Sequence, residues 1–432
     1  MFFERPETGT QVLLVHIEQP GSELASAREL QELASSAGLE QVGCVLSKRK
    51  FPHPGTYIGS GKLDEIAEIS AEVNAELIVF DEDLSPSQER NIETILGRRV
   101  LSRTGLILEI FAQRARTHEG KLQVELAQLR HASTRLVRGW THLDRQRGGS
   151  GKGQGSSAGL GGAGETQLES DQRMLSDRIK KINQRLLKVR KQRSQNRRAR
   201  KRSDIKSVSL AGYTNAGKST LFNRMCSANV RTADQLFATL DPTLRRLEIP
   251  LVGEVVLTDT VGFIRQLPHT LVDAFRATLE EVTEANLIIH VVDAAAMERQ
   301  ERIDEVNKVL AEIDAEAVPQ LIVYNKVDLI SKAPSVERDN NGKPVRVWVS
   351  ALAGEGIELI SGCLTELLAE DVVETTVTLE PDQGRLRAQF LALGAVVRED
   401  IDGQGKIKLD LRIEQRNLDR LIRSTGKKVI VL

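Results

Sequence analysis

The chain has 432 residues, with 60 Lys and Arg balanced by 60 Asp and Glu, and 40% of its residues are hydrophobic. That length predicts roughly two to four domains. The three cysteines, Cys44, Cys226 and Cys363, form no metal-type pair and imply neither disulfides nor zinc. No apolar run approaches the roughly 18 residues of a membrane span, and Met1-Phe-Phe-Glu-Arg-Pro6 lacks the apolar core of a signal peptide. A cytoplasmic protein without integral membrane segments is expected, with peripheral membrane association left open.

The first part of the chain alternates strand-like and helix-like stretches. Gln11 to Ile17, Gln41 to Leu46 and Leu77 to Phe80 read as strands, and Ser26 to Ala37, Gly61 to Val73 and Ser87 to Leu96 as helices. Such alternation predicts a small α/β domain with a mostly parallel sheet. Within it, Ile58-Gly-Ser-Gly-Lys62 places a glycine turn at a helix start. This is a weak motif: a tight turn, a second nucleotide site for ATP or an RNA contact would each use it.

The even total charge hides an uneven distribution. Residues 112–202 carry 23 Lys and Arg against 7 Asp and Glu, a local balance of 23 − 7 = +16. Leu122, Leu126, Leu129, Ser133, Leu136, Trp140 and Leu143 follow helical spacing, as do Leu175, Ile179, Ile182, Leu186 and Val189. Two amphipathic helices with narrow seams predict an antiparallel hairpin. Its tip, Gly148 to Gly164, has nine glycines in seventeen residues, too many to hold one conformation alone. Arg190, Lys191, Arg193, Arg197, Arg198 and Arg200 lie in a stretch without an acid, a field suited to a nucleic-acid backbone. A plain solvated helix face is the alternative.

Four segments then occur in the order that builds a guanine-nucleotide pocket. Gly212-Tyr213-Thr214-Asn215-Ala216-Gly217-Lys218-Ser219, followed by Thr220, reads G-x-x-x-x-G-K-S between the strand-like Lys206 to Ala211 and a helix start. In that setting backbone N–H groups and the helix dipole cradle phosphates, Lys218 reaches the β- and γ-phosphates, and the Ser219 hydroxyl binds Mg²⁺. Asp259-Thr260-Val261-Gly262 puts a carboxylate at a strand tip for a water-mediated Mg²⁺ contact, and the Gly262 N–H faces a γ-phosphate.

Asn325-Lys326-Val327-Asp328 follows another strand, and Asp328 suits the two donors on the edge of guanine. Adenine lacks both and would leave the carboxylate unpaired. Ser350-Ala351-Leu352 completes the set, with the Ala351 N–H toward the guanine carbonyl. A hydroxyl between the phosphate loop and Asp259 is needed for Mg²⁺. Phe237-Ala238-Thr239-Leu240-Asp241 supplies Thr239, with Thr243 as competitor, and spacing alone does not choose.

After Gly262, where a water-orienting side chain such as Gln is expected, stands Phe263. Phe cannot polarise water, so unaided hydrolysis should be slow unless a cation or partner completes the site. Asn215 suggests K⁺ as one such cation. Beyond Asp371, strands and helices follow in the order βαββαβ, from Glu374 to Leu432, predicting a small ferredoxin-like module.

Together with Thr104 to Thr117, Gln123 to Gln128 and Gly164 to Glu169, the runs Gly212 to Phe222, Phe237 to Thr243 and Asp259 to Ile264 resemble the HflX family of ribosome-associated GTPases over most of the chain. The sequence departs from the family pattern at Ala163 and Gln172 and in the length of its glycine-rich run. The resemblance favours Thr239 over Thr243. It implies that Lys218, Thr239 and Gly262 serve catalysis, that Ser219 and Thr239 bind Mg²⁺, and that the segments above bind GTP and GDP. It further implies binding to the large ribosomal subunit and its rRNA, ribosome-stimulated hydrolysis, a role in splitting or rescuing ribosomes under stress, and ATP as a ligand credited to the N-terminal domain of some members.

The expected fold is an α/β P-loop GTPase domain (204–371). It is preceded by a small α/β domain (1–111) and a basic helical hairpin (112–203), and followed by a small α+β ferredoxin-like domain (372–432). A monomer is expected. A ribosome-assembly or RNA-remodelling factor, in which the G domain only times release, is the rival reading.

Overall fold

A continuous apolar run such as Leu77-Ile-Val-Phe80 suits a parallel strand covered on both faces, and all four of these residues are buried. The computed structural model describes residues 7–18, 25–48, 51–139, 167–202, 205–226, 236–265, 279–369, 372–401, 405–425 and 430–431. They fall into two units. One comprises described residues within Met1–Ser194, Ala233–Asp241 and Gln266–Arg276, the other those within Gln195–Thr232, Pro242–Arg265 and Ala277–Leu432.

The first unit opens with β1 (Gln11–Glu18), α1 (Ala25–Ser36), β2 (Glu40–Lys48), α2 (Ser60–Glu72), β3 (Leu77–Phe80), α3 (Pro86–Leu96), β4 (Arg99–Ser102) and α4 (Arg103–Arg114). Its four strands pair in parallel in the order β2-β1-β3-β4. Leu13, Val15, Ile17, Ile78 and Phe80 pack with Leu63, Ile66 and Ile92 into one core. The strand β4 and helix α4 were not resolved as elements by the periodicity of the sequence. Gly59 caps α2 without a side-chain bond, and Lys62 pairs with Glu65 at 2.7 Å.

Helix α5 (His118–Gly139) and the long α6 (Gln167–Arg202) form the hairpin. Leu122, Leu126 and Leu129 interlock with Leu175, Ile182 and Leu186. Glu119 pairs with Arg193 at 2.7 Å, and Glu125 accepts from Arg178 Nε at 2.7 Å, so the helices run antiparallel. The side chains of Leu136, Arg197, Arg198 and Arg200, along with Trp140, Leu143 and the glycine-rich run, lie outside the described residues.

The second unit contains a seven-stranded sheet: β5 (Lys206–Gly212), β6 (Thr243–Ile249), β7 (Gly253–Asp259), β8 (Leu287–Asp293), β9 (Gln320–Asn325), β10 (Ser335–Arg338) and β11 (Pro344–Trp348). Their order is β10-β11-β9-β8-β5-β7-β6, parallel except for the two edge pairings. Helices α7 (Lys218–Cys226), α8 (Arg299–Glu312) and α9 (Ile357–Leu368) accompany the sheet. Val208, Leu210, Leu257, Ile289 and Val323 fill its core with Leu221, Phe222 and Leu364.

The same unit ends in β12 (Val372–Leu379), α10 (Gly384–Ala392), β13 (Val396–Ile401), β14 (Ile407–Glu414), α11 (Gln415–Thr425) and β15 (Ile430–Val431). The antiparallel order β13-β14-β12-β15 is that of a ferredoxin-like module, as expected. The module is joined to the larger sheet by buried polar contacts. Lys206 Nζ donates to Glu414 Oε1 at 2.8 Å, and Asn417 Nδ2 donates to the carbonyls of Leu251 and Val252 at 3.3 and 3.2 Å.

Candidate nucleotide site

Every motif of the expected pocket except the Phe237–Asp241 run stands at the carboxyl edge of the seven-stranded sheet. Gly212 ends β5, Asp259 ends β7, Asn325 ends β9, and Ser350 follows β11. In an open α/β sheet this edge is where ligands bind. Backbone geometry dictates the glycines. A Cβ on Gly212 (φ +148°) would lie 2.2 Å from the Val291 carbonyl oxygen, and one on Gly217 (φ +90°) 2.2 Å from Asn325 Nδ2.

Lys218 is buried and folds over the loop, its Nζ donating to the carbonyls of Gly212 at 3.0 Å and Tyr213 at 2.7 Å. Burial pushes its ammonium down to about 8, against the opposing pull of the Asp259 carboxylate. The Ser219 hydroxyl donates to Asp259 Oδ2 at 2.7 Å, so two hard oxygen donors already stand together beside the lysine. That pairing fits Mg²⁺, which prefers such donors. Gly262 lies against the lysine: a Cβ there would sit 3.0 Å from Lys218 Nζ and 2.8 Å from Thr214 Cγ2.

Asn325 ties two loops together. Its Nδ2 donates to the Ala216 carbonyl and its Oδ1 accepts from the Ala351 N–H, both at 2.9 Å. The Ala351 N–H, expected to face guanine, is therefore given to Asn325 in this arrangement. The exposed Asp328 accepts from the Ser350 hydroxyl at 2.5 Å. Lys326 pairs with Asp293 at 2.8 Å, and Val327 is buried.

Several candidates are placed differently from the expectation. The Thr260 hydroxyl donates to the Leu210 carbonyl at 2.5 Å, so its side chain serves the strand pairing. The Thr214 N–H, assigned to the phosphate cradle, donates to the Phe263 carbonyl at 2.7 Å. Phe237 and Leu240 are buried within the first unit, where the Phe237 ring meets Phe111 edge-on at 4.7 Å. Asp241 accepts from the N–H groups of Arg116 and Thr117, both at 2.9 Å, just before α5. Unpaired N–H groups at a helix start attract a carboxylate more strongly than solvent does. Thr239 lies in this same run, whereas Thr243 pairs in register with Asp259 in the second unit.

Two residues were missed. Arg224 on α7 donates to the carbonyls of Ala351 and Leu352 at 3.0 and 2.6 Å, and Asp293 anchors Lys326. Neither belongs to a motif, so the sequence carried no signal for them. Of the basic residues, Arg193 is committed to Glu119, while Lys191 is exposed.

Three family profiles match in tandem: "GTP-binding GTPase N-terminal" over residues 25–112, "GTP-binding GTPase Middle Region" over 114–200 and "50S ribosome-binding GTPase" over 207–326. The GTPase HflX of Escherichia coli (strain K12) is 53% identical over 413 residues, 95% of each chain. This chain belongs to the HflX GTPase family. The HflX of Magnetococcus marinus is 43% identical, over 91% of this chain and 89% of its own. Among solved structures, a GTP-binding protein of Sulfolobus solfataricus in complex with GDP is 24% identical over 83% of this chain and 98% of its own, with a TM-score of 0.42. As an HflX-family GTPase the chain hydrolyses GTP, with a guanine nucleotide as its ligand. Among the described residues, no helix is long and apolar enough to cross a membrane.

Proposed function

We propose that this HflX-family GTPase binds the large ribosomal subunit and, in its GTP form, splits or rescues ribosomes stalled under stress. The observation that carries the reading is Phe263. It stands where a water-orienting side chain belongs, it is 2% exposed, and its backbone is bonded to the phosphate loop at Gly212 and Thr214. Hydrolysis needs a water aimed at the γ-phosphorus as the bond to the leaving oxygen breaks, and nothing at that position aims it. A partner or a cation such as K⁺, brought near Asn215, completes the site in this reading. The basic hairpin of residues 112–203 meets ribosomal RNA, and the "50S ribosome-binding GTPase" profile supports the same partner.

In this mechanism Lys218 holds the β- and γ-phosphates and Gly262 offers its N–H to the γ-phosphate. Asp328 reads guanine, with Asn325 holding the two loops around it. Mg²⁺ would be held by Ser219, with Asp259 behind it, and its charge would offset that of the phosphates. The protein acts as a cytoplasmic monomer.

The test is to mix the GTP-analogue form with purified ribosomes and follow subunit dissociation by sedimentation. Intact ribosomes should shift to free subunits; no shift removes the splitting role. Replacing Arg197, Arg198 and Arg200 with Ala should weaken ribosome binding while sparing GTP binding. The rival assembly role predicts precursor particles when the protein is absent.

A further inference from the structure

We infer that Tyr213 is a positioning residue for GTP hydrolysis, a strut that fixes the backbone around Gly262 from within the phosphate loop. Position 213 is one of the unspecified places of the G-x-x-x-x-G-K-S motif. Phosphates are bound there by backbone N–H groups, so nothing in phosphate binding calls for a large phenol. Tyr213 is nonetheless 7% exposed and makes contacts in three directions. Its carbonyl accepts from Lys218 Nζ at 2.7 Å. Its hydroxyl accepts from the Arg265 N–H at 2.8 Å. The Arg302 guanidinium, on α8, lies 5.1 Å from the centre of its ring.

These contacts hold the residues that directly follow Gly262, the glycine proposed to face the γ-phosphate. Tyr213 and Phe263 form a parallel bridge, closed by Phe263 N–H to the Gly212 carbonyl at 3.1 Å and by Thr214 N–H to the Phe263 carbonyl at 2.7 Å. The phenol then spans the next two residues and holds the Arg265 N–H. The chain from Gly262 to Arg265 is thus fastened at three points to the loop that holds the phosphates. In a site where Phe263 cannot orient water, rate depends on backbone donors held in place before charge develops. Loosening one fastening should therefore cost rate more than ground-state binding. GDP has no γ-phosphate and makes no use of Gly262, so its affinity should be indifferent to the strut.

The inference rests on GTP hydrolysis by the family and not on the ribosomal role, so every assay uses the full chain without ribosomes. Tyr213→Phe keeps the ring and removes the hydroxyl. We expect its kcat to fall about three- to tenfold, the worth of one hydrogen bond. Its GDP affinity should stay within about twofold of the parent, since the phosphate-binding backbone is untouched. An unchanged kcat, or equal losses of GDP and GTP-analogue affinity, overturns the inference, because the latter is what mere loop stability would give. Arg302→Gln leaves the hydroxyl and removes the charge that packs on the ring. It should lower kcat by a smaller factor, and combined with Tyr213→Phe the loss should be less than the product of the two, because both act on one strut. Fully multiplicative losses also overturn it.

Discussion

The Ala351 N–H donates to Asn325 Oδ1 over 2.9 Å, joining the loop after β11 to the end of β9. The same side chain reaches the phosphate loop at Ala216, so three chain segments depend on one buried amide. Asn325→Ala leaves a buried N–H and a carbonyl without their partner, at about 1–3 kcal/mol each in the worst case. We expect GDP affinity and folding stability to fall together, measured by titration with a fluorescent nucleotide and by urea unfolding. Asp328→Ala, at an exposed position, should leave stability nearly unchanged while collapsing the preference for GTP over ATP by tenfold or more.

Lys218 sets a pH dependence. In the folded chain burial lowers its pKa to about 8, from the ordinary 10.5. Between those values the unfolded chain binds more protons than the folded one, so stability of the nucleotide-free protein should rise as pH increases through that window. Nucleotide affinity should move the other way, falling above about pH 8 as the ammonium is lost. Lys218→Met should flatten both trends; a flat profile in the parent protein refutes the assignment.

Asp241 is set at the start of α5 by the N–H groups of Arg116 and Thr117. Asp241→Asn should cost about 0.5–2 kcal/mol, the range for a helix-cap or dipole contact. Gly120→Ala should do comparable or greater damage, since a Cβ there would come within 2.1 Å of Asp241 Oδ1. Faster hydrogen exchange at the Arg116 and Thr117 amides in both variants is the expected readout.

Lys206 and Glu414 are a buried ion pair, each under 10% exposed, that joins the sheet of the G domain to the ferredoxin-like module. Removing one partner strands the other, so Lys206→Met should destabilise by about 3–5 kcal/mol. Lys206→Met with Glu414→Leu should recover most of the loss. Thermal unfolding of the two variants and the parent provides the comparison.

The elements that were legible were those whose signal is local. The parallel sheet of the first unit was carried by runs such as Leu77 to Phe80, the hairpin by Leu122, Leu126 and Leu129, and the module after Asp371 by its strand and turn pattern. The short strand Arg99–Ser102 was not, because half of it is solvent-facing and four residues are too few to show a period.

Local motifs alone were enough to place the chain in the HflX GTPase family and to name the candidate residues of its pocket. A glycine-rich loop, a strand-end carboxylate and the Asn325–Asp328 run are each a few adjacent residues whose backbone and charge act locally, so they are legible without the fold. Which donors and acceptors are already spent is set by the folded backbone. The N–H of Ala351 goes to Asn325, the N–H of Thr214 to Phe263, and the carboxylate of Asp241 to the start of α5. Each of these pairings joins residues far apart in the chain, and a buried polar group takes whichever partner the folded backbone brings within reach.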